Sequence, residues 1–289
     1  NPESIIPMAN ISSYYDLLNG IIIDSQIDQY RIDEFMFALG HLDKAWKKDL
    51  IILDRGYAAT WFFIYMNLKN VDYVVRLQRN FLQEFDSFWN SKKMSEIITL
   101  DRCSEKSKKA LGILGIEFKS FKIRLVKVIL ENGEIEVLAT SLLDEKEYTL
   151  EDLKWLYFKR WGIEVSYDHL KNHLLLEDFT GLSELSIKQD FYANLFIVNL
   201  HAIISKDAQE EINNDKKNNK HKYKINKNLS LGFMKDRVLD ILTSNNPKYY
   251  QELKDLFKLE PVLIRNERKF PRIFRISRLK FHMNKKRSF

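Results

Sequence analysis

The chain has 289 residues, 45% hydrophobic and 30% charged, which supports one large or two ordinary folded domains and excludes a chain disordered throughout. Lysine and arginine number 46 against 40 acids, a net charge of +6. The one cysteine, Cys103, excludes a disulfide scaffold or a cysteine-rich zinc module and is compatible with a reducing compartment.

The first segment, Asn1 to Asn10, lacks the basic-then-apolar pattern of a signal peptide and starts with Asn, so an upstream piece is expected. Ile11 to Leu18 and Ile21 to Ile27 are β-rich runs joined by Asn19-Gly20, a strong hairpin signal. Asp33 is placed to cap a helix reaching about Lys48. Leu50 to Leu53 reads as a strand buried on both faces, ending at Asp54-Arg55-Gly56-Tyr57. A helix over Ala58 to Leu68 and a strand over Tyr73 to Leu77 complete an α/β pattern across residues 11–79.

Residues 80–147 read as a β-rich insertion, with Phe118, Phe121, Ile123 and Leu125 alternating with Lys122, Arg124 and other polar residues. Asn132-Gly133 turns that run into Ile135 to Ser141. From Thr149, which forms a capping-box pattern with Asp152, the period becomes helical. Long helices are expected at about Leu150 to Leu175 and Ile187 to Lys206, making 148–206 the helical second part of the core. Within the second helix, Phe191 to Ile204 is the most apolar stretch; it is too short for a bilayer and carries Asn194, Asn199 and His201. Residues 207–230 read as a basic linker, with six Lys and no acid between Lys216 and Lys227. Residues 231–289 read as a basic helical region, with helices near Leu231 to Thr243 and Lys248 to Leu256.

The charge is unevenly placed. From Arg265 to Phe289 ten Lys and Arg face one acid, Glu267, while the body of the chain is acidic. In this tail Phe270, Ile273, Phe274, Ile276, Leu279 and Phe281 interleave with Arg272, Arg275, Arg278 and Lys280. Such a segment can pack one face and offer cations to phosphates on the other; a disordered basic tail is the simpler alternative.

Two places could carry chemistry. Asp54 lies at the carboxyl end of a predicted strand, where open α/β sheets bind ligands, although a solvated turn also explains it. On one continuous helix, Tyr157, Arg160, Glu164, Asp168 and Lys171 fall within an arc of about 80° at 100° per residue. Large apolar residues flank this charged stripe; an exposed face laced by Arg160–Glu164 and Asp168–Lys171 pairs is the simpler reading. His169 and His173 have zinc-compatible spacing, but the Glu of the zinc-protease motif is absent and they read as structural.

The pattern Tyr157-x2-Arg160-x3-Glu164-x6-Lys171, with Asp54-Arg55-Gly56-Tyr57 upstream, resembles the signature of DDE transposases of the insertion-sequence-four type. The similarity runs from about Ile11 to Asn199. The resemblance implies a ribonuclease-H-like mixed sheet, and cutting and rejoining of DNA at the terminal inverted repeats of an insertion sequence. It implies a two-metal Mg²⁺ site, with Mn²⁺ as a substitute, and Asp54 and Glu164 as two of three carboxylate ligands. Tyr157, Arg160 and Lys171 would grip phosphates, and Asp168 would balance the Lys171 charge. The implied partners are element-end and target DNA and a second copy of the chain on that DNA, in a cytoplasmic, nucleoid-associated protein with no membrane role.

The family's first Asp precedes the hairpin on the first core strand, and no matching segment is found here. The expected consequences are a chain unable to cut DNA alone, a gap or a poorly paired edge beside Leu50 to Leu53 and a tendency to aggregate. The competing reading is a DNA-binding remnant that does not cut.

Overall fold

A computed structural model describes residues 9–29, 32–79, 81–130, 133–172, 179–181, 183–217 and 219–264. They form two compact units, one of residues Asn1–Arg31 with Val165–Phe289 and one of Ile32–Glu164. The expected hairpin exists as β1 (Ala9–Asp16) and β2 (Ile21–Gln29), antiparallel and in a sheet of its own. Its turn is set by two features. Gly20 takes φ +71°, which favours glycine, and Asp16 accepts from the backbone N–H groups of Leu18 and Asn19 at 2.8 and 3.0 Å.

In the unit Ile32–Glu164, the Asp33 side chain accepts from Phe35 N at 3.0 Å and starts α1 (Glu34–Leu42), which stops short of the expected Lys48. β3 (Leu50–Leu53), α2 (Thr60–Lys69) and β4 (Asp72–Arg76) follow, with β3 and β4 parallel. The next stretch holds α3 (Gln83–Asn90), β5 (Ser95–Leu100), α4 (Glu105–Ile113), β6 (Phe121–Ile129) and β7 (Ile135–Thr140). The unit continues with α5 (Leu150–Phe158) and the start of α6 (Trp161–Asn172). The strand order is β3-β4-β7-β6-β5, with every pair except β3–β4 antiparallel. The fold is therefore α/β with a mixed sheet, as expected. Residues 80–147 are not set apart, because β7 pairs directly with β4.

The sheet is covered on two faces, which explains its apolar runs. Tyr73, Val75, Ile123, Leu125, Val137 and Ala139 pack with Phe62, Phe63, Phe85, Phe88 and Leu111 on one side. Val74, Val126, Val128 and Leu138, at the alternate positions, pack with Leu153 and Tyr157 of α5 on the other. Arg124, a polar member of the alternating run, is 1% exposed; its Nε donates to Ser95 Oγ at 2.9 Å and Nη1 to Tyr148 O at 2.6 Å. Satisfying a buried guanidinium in this way offsets its desolvation.

β3 departs from the reading of a strand buried on both faces: Leu50 is exposed and Ile51, Ile52 and Leu53 are half-buried. Among the described residues β3 pairs with β4 alone, at the end of the strand order.

In the other unit α7 (Glu184–Asp215) is a 32-residue helix, longer than expected at both ends. Phe191 and Leu195 pack with Ile22 and Ile27 of the hairpin. The Asn199 amide fixes this packing: Oδ1 accepts from Ile22 N and Nδ2 donates to Ile22 O, each at 2.8 Å. Farther along, Ile204, Ala208 and Ile212 pack with Met234 of α8 (Lys227–Thr243) and with Leu253 and Phe257 of α9 (Pro247–Lys258). β8 (Tyr223–Lys224) pairs with β9 (Val262–Leu263). The expected basic linker is thus mostly structured, with α7 reaching Asp215 and Lys216 Nζ 4.0 Å from the centroid of the Tyr223 ring. No helix among the described residues is long and apolar enough to cross a membrane.

Candidate active site

Asp54 follows the carboxyl end of β3 and begins a single 3-10 turn, Arg55–Tyr57, by accepting from Arg55 N at 2.7 Å. Its carboxylate is exposed. Tyr157 sits near the end of α5, whose start is fixed by the capping box: Asp152 N donates to Thr149 Oγ1 at 3.2 Å and Thr149 N to Asp152 Oδ2 at 3.0 Å.

The single long helix expected from Leu150 to Leu175 is broken between α5 and α6. The joint is a tightened turn: Arg160 N bonds Tyr157 O at 3.0 Å, Gly162 N bonds Lys159 O at 2.8 Å and Ile163 N bonds Arg160 O at 3.2 Å. These three-residue spacings displace the four-residue α ladder, so Tyr157 and Glu164 do not share one straight face. Arg160 lies at the joint. Its guanidinium sits 5.8 Å from the Tyr157 ring centroid and 5.4 Å from that of Trp161, and Nη1 donates to Glu164 Oε1 at 2.8 Å.

Electrostatics tie these groups together. Burial, chiefly, pushes the Tyr157 hydroxyl up to about 12; the Arg160 and Arg76 charges oppose that shift, and the Asp54 and Glu136 charges add to it. Burial works against the Arg160 charge, but the Glu164 hydrogen bond, with Tyr157 and Asp54, holds it above its ordinary value. Asp54 and Glu164, 110 positions apart, therefore act on the same guanidinium. Two polar atoms here are buried with no hydrogen-bond partner, Tyr157 Oη and Arg160 Nε. Each is a donor, and burying a donor without a partner costs about 1–3 kcal/mol.

Arg76 and Glu136 were not singled out from the sequence. Arg76 ends β4, the parallel neighbour of β3, so the rule that ligands gather at the carboxyl ends of parallel strands could have found it. The two form an ion pair at 2.7 Å, with Glu136 nearly buried. The backbone of α6 carries Lys171, but the side chains of Asp168, His169 and Lys171 lie outside the described residues. His173, Arg272, Arg275, Arg278 and Lys280 lie outside them altogether.

Among the described residues no group of three His, Cys, Asp or Glu is placed to hold a metal ion. Asp54 and Glu164 are each exposed oxygen donors, the ligand chemistry that hard cations take. Mg²⁺ is commonly held by one or two carboxylates with phosphate oxygens and water completing the shell. The competing Arg160–Glu164 pair is an i,i+4 pair with Glu164 43% exposed, worth about 0.5 kcal/mol or less, so it does not bar Glu164 from another partner.

No curated protein matches the chain. Among solved structures, that of a piggyBac transposase synaptic complex with hairpin DNA, determined by cryo-electron microscopy, is similar at 12% identity and a TM-score of 0.47. The similarity covers 86% of this chain and 50% of that one, so the chain spans about half its length. A family model described as the transposase DDE domain matches residues 6–200, which include Asp54, Tyr157, Arg160, Glu164 and Lys171. By that match the chain belongs to the DDE transposase family.

Proposed function

We propose that the chain acts in DNA transposition of the insertion-sequence-four type, by metal-dependent strand cleavage and transfer at terminal inverted repeats. Asp54 and Glu164 would be two of its metal ligands. The observation that carries this reading is the pair of unpartnered donors, Tyr157 Oη and Arg160 Nε, beside two carboxylates that act on the same Arg160. With its pKa raised to about 12, Tyr157 stays protonated at neutral pH. It therefore donates a hydrogen bond to a phosphate oxygen and is not a nucleophile. Arg160 offers Nε to the same strand, and transfer of its Nη1 bond from Glu164 to phosphate frees that carboxylate. Mg²⁺, when bound, supplies charge neutralisation and activation of the attacking oxygen. Lys171 and the tail residues Arg272, Arg275, Arg278 and Lys280 would add phosphate contacts, in a cytoplasmic protein that pairs with a second copy on DNA.

A second reading, a DNA-binding remnant that does not cut, is favoured by one observation. Glu136, the acid that acts on Tyr157 along with Asp54, is held by Arg76 and nearly buried, leaving Asp54 and Glu164 as the available carboxylates. Purified protein with Mg²⁺ or Mn²⁺ and DNA carrying the sequences that flank its gene separates the two. End-specific cleavage that disappears in Glu164→Gln supports transposition and means a third ligand lies beyond the described residues. Binding of the ends with no cleavage supports the remnant.

A further inference from the structure

Within the unit Ile32–Glu164 lies a cavity of about 680 Å³ lined by Arg55, Arg76, Arg79, Trp89, Glu134 and Glu136, among others. The lining holds three arginines and two glutamates. Arg76 is taken by Glu136 at 2.7 Å, while Arg55 and Arg79 make no ion pair among the described residues. Among the described lining residues arginines outnumber glutamates by one, a balance that favours an anion.

Trp89 gives a second, independent sign. Its indole Nε1 is buried with no hydrogen-bond partner. Arg79 stacks over the ring, its guanidinium carbon 5.6 Å from the centroid, so the face of the indole is covered and the edge N–H is left over. Indole nitrogen only donates, so what completes it is an acceptor.

Size and place narrow the ligand. The volume lies in the range of about 300–1,000 Å³ that takes small organic ligands, so a bare ion would leave most of it empty and a sugar-phosphate unit fits. The cavity also adjoins the acidic pair: Arg55 follows Asp54 directly, and Arg76 and Glu136 act on the Tyr157 hydroxyl.

We propose that this cavity holds a phosphate of the same DNA strand, next to the one gripped by Tyr157 and Arg160. Arg55 and Arg79 supply the charge and Trp89 Nε1 donates a hydrogen bond to a phosphate oxygen. The inference rests on the DNA reading given above and adds to it a second anchoring point, separate from the signature residues.

The test is binding of a fluorescein-labelled duplex of mixed sequence, followed by anisotropy across a salt series without divalent metal. Arg79→Gln should flatten the plot of log affinity against log salt by about 0.9 unit, the value of one lost phosphate contact. Trp89→Phe keeps a ring beneath Arg79 but loses the N–H donor and part of the indole packing against the core. It should leave the slope unchanged and weaken binding about tenfold, measured at a temperature where urea unfolding shows the variant fully folded. Wild-type binding with both variants at wild-type affinity and slope overturns the cavity assignment and leaves the DNA reading standing. No binding by the wild type overturns the DNA reading, and the cavity assignment with it.

Discussion

Replacing Tyr157 by Phe separates what the residue does for the fold from what it does for a ligand. The ring is 7% exposed and packs with Val74, Val126, Val128, Leu138 and Leu153. Phe keeps that packing and removes only the hydroxyl, which is buried without a partner. An unsatisfied buried hydroxyl costs about 1–3 kcal/mol, so its removal should leave stability unchanged or raise it by about 1 kcal/mol. Urea unfolding should show a midpoint at or above that of the wild type with the same slope. The same variant should bind DNA about tenfold more weakly, because it loses a hydrogen bond to a charged phosphate. A loss of more than about 1 kcal/mol in stability would mean that the hydroxyl is already bonded in the free protein. Undiminished DNA affinity would mean that it does not reach the strand.

Two further outcomes follow from the caps and charges. Thr149→Ala removes the N-cap of α5 and should cost about 1 kcal/mol, while Thr149→Ser should recover most of it in the same urea experiment. The Lys254 and Lys258 ammonium groups hold the Glu211 carboxyl below the usual carboxylate range. Its contribution is therefore present above the unfolded pKa and is lost as pH falls through the folded one. Glu211→Gln should be less stable than wild type at neutral pH and should converge with it in acid; a gap that persists in acid would point to packing and not charge.

Much of this fold is written locally. Asp33, Thr149 with Asp152, and Asn19-Gly20 act through neighbours in sequence, and each sits in or beside the element it predicts. The Asp54 and Tyr157–Lys171 motifs were equally legible, because their spacing is a property of the chain. What was hidden depends on distant partners. The sheet position of residues 80–147 comes from the pairing of β7 with β4, and the burial of Arg124 from acceptors at Ser95 and Tyr148. The break at Arg160 was missed because Gly162 is its one conventional signal and no proline stands near it. Arg76 and Glu136 join the site only once β4 and β7 are neighbours.

The central claim is that Asp54 and Glu164 hold one divalent cation together. Titration of the purified protein with Mn²⁺, with free ion followed by electron paramagnetic resonance, tests it without requiring catalysis. The account predicts a saturable site in the wild type that Mg²⁺ competes for and that Asp54→Asn and Glu164→Gln each abolish. Wild-type Mn²⁺ binding in either variant would contradict it.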